Sequence, residues 1–227
     1  METLMNTIHT TLTKRKYEVL LVALVMHLYI GIAITDLVLY DRVIWPINMG
    51  LIGVASIGIF LRQGKWKILI KDVLLILAIL FPIMLPWLAY LPQFFMWLSI
   101  IYCIFFTVIL YEIIKFLVKP GYINLDIISA SACGYFLLIE ICVFLMQVLY
   151  YSDPSSIGLL DNRDPATVYM DLVYFSSVTI TTIGYGDISP VSYSAKLIVS
   201  LFGVVAQFYS VVLIGILISK FSSESMK

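Results

Sequence analysis

Residues 169–187 read YMDLVYFSSVTITTIGYGD. The first part, 169–182, is rich in Ser and Thr and is too short and polar to cross a bilayer; Gly184 and Gly186 then flank Tyr185. Apolar runs at 124–151 and 192–219 lie on either side, each exceeding the ~20 apolar residues a helix needs to cross the hydrocarbon layer. A polar segment between two such spans is re-entrant. Irregular backbone at that depth is tolerated only where it lines a cavity.

Working outward, 62% of the 227 residues are hydrophobic and 12% charged, with mean hydropathy +1.03. A soluble domain carries about a quarter charged residues, and one compact core cannot hide this much apolar surface. The composition therefore argues against a soluble enzyme and for lipid as the solvent. Further apolar windows fall at 18–40, 43–62, 67–91 and 93–118, which makes six spans and an all-α membrane protein. The run after Lys14-Arg15-Lys16 is too long for a signal peptide and reads as the first span. Pro46, Pro82 and Pro86 predict kinks in spans two and three. Lys119-Pro120-Gly121 closes the fourth span and marks a domain boundary.

The net charge is zero, and nothing in it suggests nucleic acid. Six spans put both termini on one side, together with Lys14, Arg15, Lys16, Arg62, Lys65, Lys67, Lys71, Lys115, Lys119, Lys220 and Lys227; only Arg42, Arg163 and Lys196 lie opposite. By the positive-inside rule the termini are cytoplasmic, in a multi-pass protein of the cell membrane. Asp41, Asp153, Asp161, Asp164 and Asp187 lie in the outer connections, as a negative rim that concentrates cations or as ordinary solvated charges. Cys103, Cys133 and Cys142 sit in apolar runs and read as buried thiols.

Residues 179–187 resemble the selectivity-filter signature of potassium channels: Thr181-Thr182-Ile183 precede Gly184-Tyr185-Gly186-Asp187 between the last two spans. The likeness runs from about Leu172 to Phe221 and is strongest to the pore regions of voltage-gated and bacterial potassium channels. It implies a homotetramer in which the carbonyls of Thr182, Ile183, Gly184 and Tyr185 replace the hydration shell of potassium. Gly184 and Gly186 supply the positive φ that turning successive carbonyls inward requires. Potassium is then the permeant ion, and no cofactor is implied. Residues 169–181 form the pore helix, with Asp171 near its start.

Tyr174, Phe175, Val178 and Asp187 are the expected filter supports. Relatives commonly carry two tryptophans where this chain has Tyr174 and Phe175, and Val178 replaces a glutamate found in some bacterial members. Phe175 cannot donate to Tyr185, whereas Tyr174 reaches toward Asp187, and slow filter gating follows as an expectation. In the last span Ala206, Ser210, Ile214 and Ile218 recur every fourth residue, either lining a cavity with Ile218 as hydrophobic gate or packing against a neighbouring helix. Ala206 replaces the relatives' hinge glycine, and Gly203 is a candidate hinge.

The chain thus divides into an N-terminal segment 1–16, a four-helix bundle 17–121, a pore domain 122–220 (outer helix 124–151, pore helix 169–181, filter 182–187, inner helix 192–219) and a tail 221–227. The bundle resembles a voltage sensor, yet 93–114 contains no Lys or Arg, so steep voltage gating is not expected. Seven residues follow Lys220, so gating is intrinsic, or supplied by a separate regulatory subunit, or lost with a truncated segment. Glu140 is an intramembrane acid with a structural or a gating role, His27 reads as a hydrogen-bonded imidazole between helices, and Asp36, Asp72 and Glu112 as interfacial or locally paired groups. Two other readings are an intramembrane aspartyl protease using Asp41 and the Gly-x-Gly-Asp aspartate Asp187, and a weakly selective cation channel.

Overall fold

A computed structural model describes residues 15–60 apart from Thr35, 93–118, 124–158 and 164–225, with isolated positions between 69 and 84. The expected third span, 67–91, and the boundary Lys119-Pro120-Gly121 lie outside the described residues, isolated positions of the span apart. Five helices among the described residues are long and apolar enough to cross a membrane, and the chain is an all-α membrane protein.

Helix α1 spans Lys16–Tyr29 and ends in a 3-10 turn, Ile30–Ala33. Helix α2 runs without interruption as Leu37–Leu39, a π-helical turn Tyr40–Ile44, and Trp45–Phe60. The windows 18–40 and 43–62 are thus corrected: the break between the first two helices comes earlier, at Ile34–Asp36. The cause is a cap that hydropathy cannot register, since the Asp36 carboxylate accepts from the N–H groups of Val38 and Leu39 at 3.0 and 3.1 Å. Asp41 and Arg42 consequently lie within α2 rather than in a loop. The kink expected at Pro46 takes the form of the π turn just before it. Trp45 N–H bonds Tyr40 C=O, five residues back, widening the turn where the proline ring would collide with the preceding carbonyls.

Helices α3 (Phe94–Leu117) and α4 (Leu125–Ser152) pack along their lengths. The α3 face is a helical stripe of Leu98, Tyr102, Phe105, Phe106, Ile109 and Ile113, each at most 2% exposed. Asn124 caps α4 by accepting Ile127 N–H at 3.0 Å. Of the apolar window of α4, 67% is buried, so this helix is the hub against which α1, α3, the re-entrant helix α5 (Pro165–Ile180) and the last helix α6 (Tyr193–Ser225) assemble. Only 11% of the α6 window is buried in the single chain. Its apolar residues Leu197, Leu201, Val204, Phe208 and Val211 are exposed at alternating four- and three-residue spacing, a face that needs lipid or another protein surface.

Two short strands close the outer end. Ile157–Gly158 (β1) pairs antiparallel with Ser189–Pro190 (β2), and Ser156 C=O accepts the N–H groups of Val191 and Ser192 at 2.8 and 3.2 Å. The loop leaving residue 187 is thereby fastened to the end of α4.

Candidate functional site

Helix α5 begins at Pro165, four residues before the expected start of the re-entrant helix, and Asp164 caps it. The Asp164 carboxylate accepts Thr167 N–H at 2.9 Å and the Thr167 hydroxyl at 2.8 Å, and Pro165 fills the first helical position. An aspartate before a proline is a helix-start signal that the sequence offered. The helix runs to Ile180, with its Leu172, Phe175, Ser176 and Ile180 face buried.

Beyond Ile180 the backbone alternates. Thr182, Gly184 and Gly186 have φ of 63°, 58° and 81°, and Thr182 is the one non-glycine residue with positive φ among those described. A β-branched residue in that region is strained by about 1–3 kcal/mol. What holds it there is a set of hydrogen bonds back to the helix end: Thr182 N–H donates to Thr179 C=O at 3.0 Å, and Ile183 and Gly184 N–H both donate to Val178 C=O, at 2.8 and 3.1 Å. Each trans peptide unit is planar, with its C=O opposed to its N–H. Fixing three successive N–H groups toward α5 therefore points the carbonyls of Thr181, Thr182 and Ile183 the other way. Residues 181–187 are all exposed in the single chain.

The side chains around this segment are placed as follows. The Tyr174 hydroxyl donates to Asp187 Oδ2 at 2.6 Å, and its ring lies parallel to that of Tyr185, centroids 6.5 Å apart with 3° between planes. The same bond holds the Asp187 carboxyl below its ordinary value and pushes Tyr174 up to about 12. Phe175 is buried inside the chain. Val178 acts through its carbonyl. In α6, Ser210 donates to Ala206 C=O at 3.0 Å, Ile214 is 57% exposed and Gly203 lies open. Ala206 is 1% exposed and packs inside the chain, as the second of the two readings of that stripe has it for this residue. The side chain of Ile218 lies outside the described residues.

Three groups that the sequence left separate are brought together. His27 Nδ1 lies 2.8 Å from Glu140 Oε1 and 3.0 Å from the Tyr169 hydroxyl, and Tyr29 and Ser177 hydroxyls meet at 3.0 Å. Each pair joins residues more than a hundred positions apart, and nothing in local periodicity links them. Glu112, read as interfacial or locally paired, is 5% exposed.

A backbone held this way presents successive carbonyl oxygens on the side away from α5 without spending a side chain on them. Residues 133–223 match the family model described as an ion channel. Over 144 residues the chain is 33% identical to the voltage-gated potassium channel Kch of Escherichia coli (strain K12), a match covering 63% of this chain and 30% of that protein. The chain thus aligns with less than a third of that relative's length. No solved structure matches the chain significantly.

Proposed function

We propose, from the premise that the chain belongs to the potassium channel family, that it forms a homotetrameric pore selective for potassium. The observation that carries this reading is the alternation of positive φ at Thr182, Gly184 and Gly186, with the intervening N–H groups anchored to α5. Carbonyl rings replace the hydration shell of a potassium ion, and one chain supplies one strand of such a ring. The exposed apolar face of α6 supports assembly around a common axis. The Thr182 hydroxyl adds an inner oxygen ring, and potassium is the permeant ion with no further cofactor.

Conduction is passive and not steeply dependent on voltage, because α3 carries no cation before Lys115. In this reading the bundle 17–121 is peripheral to the pore domain 122–220, and the distribution of basic residues supports cytoplasmic termini, with Ser210, Ile214 and Ile218 toward the inner mouth. The geometry favours conduction over the aspartyl-protease reading: Asp187 is engaged by Tyr174, while Asp41 lies in the π turn of α2.

Purified protein in liposomes tests the proposal. Potassium flux exceeding sodium flux by at least tenfold, lost in Gly184→Ala, is the expected result. Equal permeation of sodium refutes selectivity and favours the weakly selective cation channel; absence of flux refutes conduction.

A further inference from the structure

His27 on α1, Glu140 on α4 and Tyr169 on α5 are at most 1% exposed and meet through one atom, His27 Nδ1. Phe106 of α3 and Phe144 of α4 stand around the imidazole, with centroids 6.2 and 6.3 Å from it. One nitrogen facing two oxygens either donates its proton between them or accepts one from a hydroxyl. In both cases α1 links the hub helix α4 to α5. Separating the three leaves a carboxyl, an imidazole and a phenol without partners in a low-dielectric interior, which is costly. The link is therefore held or broken as a unit.

Eight residues further along α5, Tyr29 of α1 meets the Ser177 hydroxyl, and the Ser177 carbonyl accepts both the Thr181 N–H at 3.0 Å and the Thr181 hydroxyl at 2.7 Å. Helix α1 thus touches α5 near its start and again immediately before the residues of positive φ. Neither contact includes a lysine or an arginine.

We infer that His27 and Glu140 are positioning residues for conduction: through Tyr169 they hold α5, and with it the filter backbone, in the conducting arrangement. This rests on the potassium-channel reading and gives the peripheral helices a function that needs no gating charge. The bundle acts as a fixed mount for α5, and loosening the mount shortens the time the filter conducts.

The test uses the full chain in lipid nanodiscs and planar bilayers, with two readouts. Hydrogen exchange of the α5 amides reports the mount whether or not ions flow, and decay of steady-state potassium current reports the filter. His27→Ala and Tyr169→Phe are each expected to raise α5 exchange and to speed current decay about tenfold, the change that loss of one buried hydrogen bond brings. The double variant is expected to do no more than His27→Ala alone. Glu140→Gln, which keeps an acceptor for Nδ1, is expected to retain protection, and Glu18→Gln, in the first turn of α1 and 3.7 Å from Arg15, to behave as the parent. Unchanged α5 exchange in His27→Ala and Tyr169→Phe overturns the inference, as do additive effects in the double variant. Raised exchange with unchanged current decay overturns the positioning role. Raised exchange in a protein that passes no potassium supports the mount and refutes the channel reading alone.

Discussion

Tyr174 is bound to the outer end of the filter twice over, its hydroxyl donating to Asp187 Oδ2 at 2.6 Å while its ring lies parallel to Tyr185. The hydroxyl and the ring can be separated by experiment. Tyr174→Phe keeps the ring and loses the donor, and potassium current through it should decay several-fold faster than in the parent. An unchanged decay during prolonged opening means the hydroxyl braces nothing.

The same bond fixes a pH window. Asp187 is held below its ordinary value of 3.8, so the stabilisation it receives is present above that value and is lost as pH falls through the depressed one. Tyr174 is raised to about 12 from 10.0, so its contribution is intact below 10.0 and lost as pH rises through about 12. Current decay should therefore be flat between about pH 5 and 9 if this pair governs it. It should accelerate in stronger acid and again as pH rises through about 12, and Tyr174→Phe should abolish both changes. A titration centred near neutrality assigns decay to another group.

Thr182→Gly should separate stability from selectivity. Glycine adopts φ near 63° without penalty, so relief of the strain at Thr182 should stabilise the fold by roughly 1 kcal/mol per chain. The hydroxyl ring is lost with it, and the potassium-to-sodium permeability ratio should fall. Thermal unfolding and reversal potentials in mixed salts measure the two; a less stable variant shows that Thr182 is not strained.

Gly134 of α4 lies against Tyr209 of α6, whose hydroxyl donates to Ser131 C=O at 2.8 Å; a Cβ at position 134 would stand 2.8 Å from the Tyr209 Cζ. Gly134→Ala should cost about 1–3 kcal/mol through overpacking, and Tyr209→Phe about 1 kcal/mol through the lost hydrogen bond. Denaturation midpoints of the two variants should fall in that order, and the reverse order would mean that α6 yields freely.

Conductance should vary only shallowly with voltage, because each charge crossing the field contributes about 2.3 kcal/mol per 100 mV and α3 offers none before Lys115. A steep conductance–voltage relation would place gating charge elsewhere in the chain.

The legible parts of this protein were those written in local chemistry. Apolar runs locate α3, α4 and α6 because each is a continuous stretch longer than a bilayer, and the Gly184-Tyr185-Gly186 sequence marks the alternation of φ because only glycine enters that region freely. Asp36 escaped because a single capping carboxylate divides two apolar runs that hydropathy merges. Asp164-Pro165 is a local start signal, and it sets the first turn of α5 four residues ahead of the Ser- and Thr-rich stretch. The meeting of His27, Glu140 and Tyr169 was not readable at all, since it depends on how three helices rotate about their axes, and so does the burial of Ala206.

The bonds from Ile183 and Gly184 to the Val178 carbonyl make the Thr182–Ile183 and Ile183–Gly184 peptide units levers with their pivots on the chain axis. Turning the Ile183 N–H away from Val178 must swing the Thr182 oxygen by the same angle toward the helix. One rotation thereby withdraws an oxygen that would be an ion ligand in the proposed pore, and leaves the Val178 carbonyl with one donor in place of two.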